Sequence, residues 1–408
     1  MHRLILLLIP VFIYAEDLRT LIDFAKANNN LIQSNRYIEH SKSKQVDSKK
    51  SAYFPTVDVG AYYQSLNERT PTQAGDIYSG YATVGFDLYD GGRKSALVDA
   101  AKSEYKASSF DTNEVQKSLS LGIVQDFFTL KSLEASLEAL RDSQKSLKEQ
   151  LLRVQKFYEA RLATKDDVDR LQSAYDTNAY EIESLKFQSL SVKKRLELKV
   201  GKSIDALEDS NFKEQFLEEF ELSDSIKSLK ANQEAVLSSA ESVDSIYYPQ
   251  LRVEDTYSTY GYNRTDIAHP QGLDNQNKIM LSLNMRLFDY SSAKEAKQVL
   301  SINSQALNEQ VKYKSKEQRV EYELALSSIE TSKMKIKSSK SALISALSAY
   351  ETIEKKYKAG IVDYIVYLDA LSAKTNAKSL YEKSLNDLEI AYATYYYHGG
   401  KNLEEYIK

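Results

Sequence analysis

The sequence predicts an internally duplicated α+β chain in which pairs of amphipathic strands lead into long helical hairpins. Three observations carry that reading. Ala82, Val84, Phe86 and Leu88 alternate with Thr83, Gly85 and Asp87, the period of a strand with one apolar face. After Asp90-Gly91-Gly92 the pattern turns helical, and the same transition recurs about 199 residues later. There Ile279, Leu281, Leu283, Met285 and Leu287 alternate with Met280, Ser282, Asn284 and Arg286, ahead of Phe288-Asp289-Tyr290-Ser291-Ser292. Finally, only 13 Gly and 5 Pro in 408 residues favour long, uninterrupted elements.

In chain order, His2-Arg3, an apolar run from Leu4 to Ile13, and Glu16-Asp17 have the layout of a secretory signal over residues 1–15. A buried N-terminal helix is the other reading of that run. The first repeat, 16–222, begins with a helix over Asp17 to Lys50, with Leu18, Leu21, Ile22 and Ala25 on one stripe. A β-hairpin follows over about 56–89, its loop carrying Pro71 and Gly75. A helical hairpin occupies about 92–200, with Leu133, Leu137, Leu140, Leu147, Leu151 and Val154 forming a heptad-like seam. About 60 residues of helix would run about 90 Å. Phe157 to Thr164 interrupts the helix, Gly201 ends its return, and an acidic connector fills about 201–222.

The second repeat, 223–408, repeats the plan: a helix to Asp244, a hairpin over about 250–288, and a helical hairpin over about 292–397 with a short tail. Its second strand is expected to run from Lys278 to Phe288, and Ser292-Ala-Lys-Glu295 reads as a capping box. Asp255 and Thr259 make the alternation of its first strand imperfect. Pro55 and Pro249 sit where helix becomes strand, Pro71 and Pro270 in the hairpin loops, and Pro10 in the signal. None falls inside a proposed helix or central strand, as the missing N–H requires.

Composition narrows the function. Mean hydropathy of -0.48 is too polar for helical membrane spans, and a net charge of -4 offers no basic stripe for nucleic acid. Without cysteine there is no disulfide framework, thiolate nucleophile or zinc ribbon. His40, His269 and His398 are scattered, with no metal spacing and no paired nucleophile, so no catalysis, metal or cofactor is expected. In an exported chain, alternating strands of about 10 residues suit membrane β-strands. Tyrosines at their ends, among them Tyr53, Tyr62, Tyr89, Tyr247, Tyr257 and Tyr290, suit interfacial girdles. A soluble sandwich packed by the helices is the competing reading. Four strands cannot close a barrel, so membrane strands would require oligomerisation.

Taken together, these features resemble the TolC family of outer-membrane efflux ducts over essentially the whole mature chain. The matching residues are Tyr53-Phe-Pro55 and Tyr247-Tyr-Pro249 before each first strand, Leu88-Tyr-Asp-Gly-Gly92 and Leu287-Phe-Asp289 before each long helix, and the tip Tyr357-Lys-Ala-Gly360 followed by Val366-Tyr-Leu-Asp-Ala370. The resemblance implies an α+β membrane duct: a homotrimer whose four strands per protomer make a twelve-stranded outer-membrane barrel, continuous with a helical coiled-coil tunnel through the periplasm. It implies a periplasmic adaptor (membrane fusion protein) and an inner-membrane pump as partners. The function implied is the exit duct of a tripartite pump for drugs or other toxic small molecules. Type I protein secretion is an alternative cargo, and a soluble periplasmic coiled-coil scaffold an alternative class.

In that family acidic side chains on the second return helix, held by a tip tyrosine and arginine, narrow the entrance. By position, Asp369 matches one acidic site, while the other is Val366 and the arginine position is Val362. Tyr357 matches the tip tyrosine, Asp167 the acidic partner from the first repeat, and Tyr158 its tip equivalent. Asp369 as an ordinary solvated helix carboxylate remains the plainer reading. Adaptor contacts are expected at the tips, Arg161-Leu162 and Gly360-Ile361. With Arg161 where the second tip has glycine, the first tip is expected to differ in shape or in its fit to the adaptor. The proposed handover from barrel to tunnel is marked by Asp90, Gly91 and Gly92 in one copy and by Asp289 and Ser292 in the other, glycine-flexible in the first and serine-capped in the second.

Overall fold

A computed structural model describes residues 15–68, 74–217, 219–263 and 273–408. The signal segment with Pro10, the loop prolines Pro71 and Pro270, and His269 lie outside the described residues. In chain order the elements are β1 (Ala15–Glu16), α1 (Leu18–Asn28), α2 (Asn30–Ser51), β2 (Thr56–Ser65), β3 (Asp76–Tyr89), α3 (Arg93–Glu159) and α4 (Lys165–Val200). They continue as β4 (Ala206–Leu207), α5 (Asp224–Asp244), β5 (Gln250–Asn263), β6 (Asn275–Asn284), α6 (Ser292–Lys358) and α7 (Tyr364–His398). The duplication is visible in the lengths: α3 and α6 have 67 residues each, α4 has 36 and α7 has 35.

Two compact units cut across the sequence halves, each taking segments from both. The sheet unit spans Asn35–Asp111 and Ser225–Lys314. Its four strands are antiparallel throughout, in the order β2-β3-β5-β6, so the β3–β5 ladder joins the two halves. Register keeps Val57, Val84 and Leu283 on one face, and that face is bare: Val59 is 82% and Leu283 67% exposed. A soluble sandwich would cover such a row. The opposite face carries Tyr81 lying across Gly60 and Arg252 lying across Gly85, where any β-carbon would come within 2.5 Å of the side chain above it. The expected bounds of the last strand, Lys278 to Phe288, both move: β6 begins three residues earlier, at Asn275. β6 ends at Asn284, not Phe288, because its neighbour β5 begins at Gln250 and supplies no partner beyond.

The helical unit takes the described residues up to Ser34 with Thr112–Asp224 and Ser315–Lys408. The expected single helix from Asp17 to Lys50 is two helices. Asn29 breaks it with an extended backbone (ψ 129°), its amide donating to the Lys199 carbonyl at 2.7 Å and its side-chain oxygen accepting the Leu31 N–H at 2.8 Å. Leu18, Leu21 and Ile22 of α1 then pack with Phe127 and Phe128 of α3, Leu196 of α4 and Tyr396 of α7. Gly201 ends α4 in the left-handed region, as expected (φ +91°).

The connector after α4 is not loose. Ala206–Leu207 pairs in parallel with β1, and Phe212 bridges to Ile407 of the tail. Tyrosines of α7 fasten it further. The Tyr396 hydroxyl donates to the Lys213 carbonyl and accepts the Gln215 N–H at 3.3 Å, while Tyr395 accepts the Leu217 N–H at 3.0 Å. The tyrosine wealth is therefore not confined to strand ends. Buried beside them, Glu389 accepts the Phe212 N–H at 2.6 Å, yet burial pushes its carboxyl up to about 6.

Because that folded value lies above the unfolded one, folding favours the protonated acid. Its contribution is full below about pH 4.5 and is lost as pH rises through about 6. Glu389→Gln should therefore flatten the pH dependence of denaturant stability between pH 7 and pH 5. The wild type should gain on the order of 1 kcal/mol relative to the variant as pH falls across that window. Parallel profiles for the two proteins would refute the assignment.

Candidate functional site

Both strand-to-helix turns in the sheet unit are built the same way. Asp90 accepts the Lys94 N–H at 2.9 Å, and Asp289 accepts the Ala293 N–H at 3.1 Å, each carboxylate capping the helix that follows. Two consecutive left-handed residues lie between cap and helix: Gly91 and Gly92 (φ +69° and +85°) in one copy, Tyr290 and Ser291 (φ +52° and +65°) in the other. The expected contrast between a glycine-flexible and a serine-capped turn is thus corrected. Ser292 is the first residue of α6, and the cap is Asp289. Tyr247 donates to the other oxygen of Asp289 at 2.7 Å, and that hydrogen bond holds Asp289 below the usual carboxylate range. Glycine is required in the first copy because a β-carbon on Gly91 would meet the Ser245 carbonyl oxygen at 2.7 Å.

The helix tips belong to the helical unit. At the first, Leu162 N–H reaches the Phe157 carbonyl at 2.7 Å; at the second, Ile361 N–H reaches the Lys356 carbonyl at 2.9 Å. Arg161 (φ +60°) adopts the left-handed conformation of Gly360 (φ +73°), so the two turns match in backbone and the expected difference in shape is absent. The following apolar residues stand free, Leu162 76% and Ile361 71% exposed. Thr164 and Asp167 form a reciprocal capping box at the start of α4: Asp167 N–H donates to the threonine hydroxyl at 3.2 Å, and its carboxylate accepts Thr164 N–H at 2.9 Å. Asp166 pairs with Arg170 at 2.9 Å.

An aromatic column supports the second tip. Tyr357 stacks on Tyr367 with ring centres 4.8 Å apart, and Tyr367, fully buried, shares a 3.4 Å hydroxyl contact with Tyr350. Burial raises both Tyr357 and Tyr367 above the ordinary phenol range, keeping them neutral donors at physiological pH. Arg153 of α3 crosses to this column. Its guanidinium donates to the Lys358 carbonyl at 2.9 Å, with its centre 5.2 Å from the Phe157 ring and 5.9 Å from Tyr357. Tyr158 is about half exposed. Asp369 is exposed and lines a polar cleft of about 460 Å³ with Arg170, Thr177, Glu181 and the buried Asn178, a cleft that shares Leu147 and Leu371 with the cluster around Tyr350 and Tyr367.

Of the residues expected at a constriction, Tyr357 alone joins the column, Asp167 is held by its own cap, and Asp369 lines the adjoining polar cleft. No role was expected for Arg153, Tyr350 or Tyr367 from sequence. Tyr350 and Tyr357, seven apart on one stripe of α6, were visible as a periodic pair. The cross-helix reach of Arg153 leaves no pattern in the chain.

A duplicated chain of amphipathic strands and helical hairpins, with a bare apolar sheet face, has the architecture of an α+β outer-membrane duct. Residues 21–201 match the family model described as outer membrane efflux protein. The chain is 23% identical over 386 residues to outer membrane protein TolC of Vibrio cholerae, spanning 88% of this chain and 84% of that one. In fold it is similar to the outer membrane protein VceC of Vibrio cholerae, with a TM-score of 0.82 and 15% identity over 95% of this chain and 96% of the other. It is likewise similar to the CmeC outer membrane channel of Campylobacter jejuni, with a TM-score of 0.81 and 15% identity over 95% and 86% of the two chains. These likenesses, to the efflux family model, to TolC and in fold to outer-membrane channels, set the soluble periplasmic scaffold aside. Its place is the outer membrane, with a periplasmic helical tunnel.

Arg153→Ala should loosen the second tip. Losing a carbonyl hydrogen bond and two ring contacts removes about 1–2 kcal/mol of local stability. Amide exchange over 357–361 should quicken roughly tenfold. Arg153→Lys should not restore it, since an ammonium lacks the planar fork. Unchanged exchange in the alanine variant would show that the contact is incidental.

Proposed function

We propose that three copies of this chain close a twelve-stranded barrel and serve as the exit duct of a tripartite pump for drugs or other toxic small molecules. The observation that carries this reading is the open-edged sheet with its bare apolar face. Four strands enclose nothing, and three copies give the even strand number of membrane barrels. The two halves, 16–222 and 223–408, act as tandem repeats, so three chains present six similar hairpins. At each tip an exposed apolar residue, Leu162 or Ile361, follows a left-handed one, Arg161 or Gly360, and offers a repeated knob to a periplasmic adaptor. The efflux designation of the family favours small molecules over protein cargo.

Asp369 is the proposed acidic element of the entrance, with Tyr357 and Tyr158 at the tips and Asp167 holding the first tip through its cap. Three copies of one carboxylate around an axis bind cations and disfavour anions by direct electrostatics. In planar bilayers Asp369→Ala should lose cation selectivity and block by divalent ions several-fold, while the fold and trimer persist. Selectivity and block equal to wild type would remove Asp369 from the gate.

A further inference from the structure

The β3–β5 ladder inside one chain is a template for the ladder that must form between chains. This inference rests on the trimer proposed above and adds its register. In the template, Asp87 lies opposite Arg252, joined by an ion pair of 2.8 Å, and Val84 lies opposite Asp255. The duplication relates β3 to β6 through Leu88-Tyr89-Asp90 and Leu287-Phe288-Asp289. It relates β5 to β2 through Tyr247-Tyr248-Pro249 and Tyr53-Phe54-Pro55. Carried through those two alignments, Asp87 becomes Arg286 and Arg252 becomes Asp58. The ion pair survives with its charges exchanged.

We propose that β6 and its extension to Phe288 pair antiparallel with β2 of the next copy, in the register that sets Arg286 opposite that copy's Asp58. Three observations agree on it. The pairing sets Leu283 opposite Ala61 and Met285 opposite Val59, keeping apolar residues together on the bare face, whereas a one-residue slip would turn every side chain to the wrong face. A two-residue slip keeps the faces and loses the charge pair. Asp58 is exposed, and among the described residues Arg286 forms an ion pair within its own chain only with Asp289, at 4.0 Å. Residues 285–288 also fall outside any strand here for a stated reason: β3 continues to Tyr89 only because β5 pairs with it, and the matching partner of 285–288 is β2 of another copy.

The chain has no cysteine, so engineered pairs report cleanly. In outer membranes treated with an oxidant, Leu283→Cys with Ala61→Cys should give covalent dimers and trimers. Leu283→Cys with Val57→Cys, four residues out of register, should not. Asp58→Arg alone and Arg286→Asp alone should each lower the temperature at which the detergent-resistant trimer dissociates, and the double exchange should recover most of the loss. Trimers that cross-link through the shifted pair instead would overturn the register. Single reversals without effect would overturn the ion pair. A monomer by mass in mild detergent would sink the trimer itself, an outcome distinct from either.

Discussion

The unpaired edges of the four-stranded sheet are the constraint on which the rest depends. β2 and β6 each use one side for their ladder and leave a row of N–H and C=O groups on the other. In hydrocarbon each unsatisfied group costs several kcal/mol, so an open sheet of this kind is not a membrane structure until its edges meet others. The same constraint explains the bare apolar face. Val59 and Leu283 are tolerable on a lipid-facing surface and would be an aggregation hazard on a soluble one. It also explains where β6 stops, since a strand ends where its partner ends.

The helical unit meets a different demand. Helices as long as α3 and α6 do not owe their stability to propensity; they need a packed face along their length. Their apolar seams are thin, with many alanines and serines among the buried positions, and the ends of the chain supply the remainder. α1, the connector and the tail all close on one cluster around Phe127, Phe128, Phe212 and Tyr396. Tyrosine suits that place because one side chain fills volume and satisfies backbone groups of an irregular segment. At the second tip the same residue type stacks in a column that Arg153 spans from the neighbouring hairpin. Core and tip thus use one chemistry: aromatic bulk with a polar end that finds a carbonyl or a second hydroxyl.

What could be read in the chain and what could not divides along physical lines. Strands with one buried or lipid-facing side must alternate, so β2, β3 and β5 were legible to within a residue or two. The long helices and Gly201 were legible because periodicity and a left-handed stop both leave residue-type signatures. Breaks set by tertiary partners were not. Asn29 interrupts a helical pattern because its amide is claimed by a carbonyl of α4, distant in sequence. Ser292-Ala-Lys-Glu295 has the composition of a capping box, yet Asp289 takes the cap because two left-handed residues carry the chain back under it. At the tips, Arg161 shows that a turn's demand for a positive φ is a cost of about 1–2 kcal/mol, which a non-glycine residue can bear.

Glycine at the strand-to-helix turns can be required by backbone conformation or by crowding. If backbone conformation alone required it, Tyr290 and Ser291 could not hold the dihedral angles that Gly91 and Gly92 hold. Gly91 is instead fixed by proximity, for the turn at Ser245–Tyr248 leaves no space for a side chain. Tyr290 occupies the equivalent place in the second copy and is 89% exposed in the single chain. In the proposed trimer the segment facing it is Ser51–Phe54 of the next copy. Were that segment as close as Ser245–Tyr248 is to Gly91, the tyrosine β-carbon would collide with a carbonyl. In such a trimer the seam between chains would have to be wider at this level than the seam within a chain, with room for the tyrosine ring. Unequal residues on similar backbones would then distinguish the internal junction of the duplicated chain from its external one.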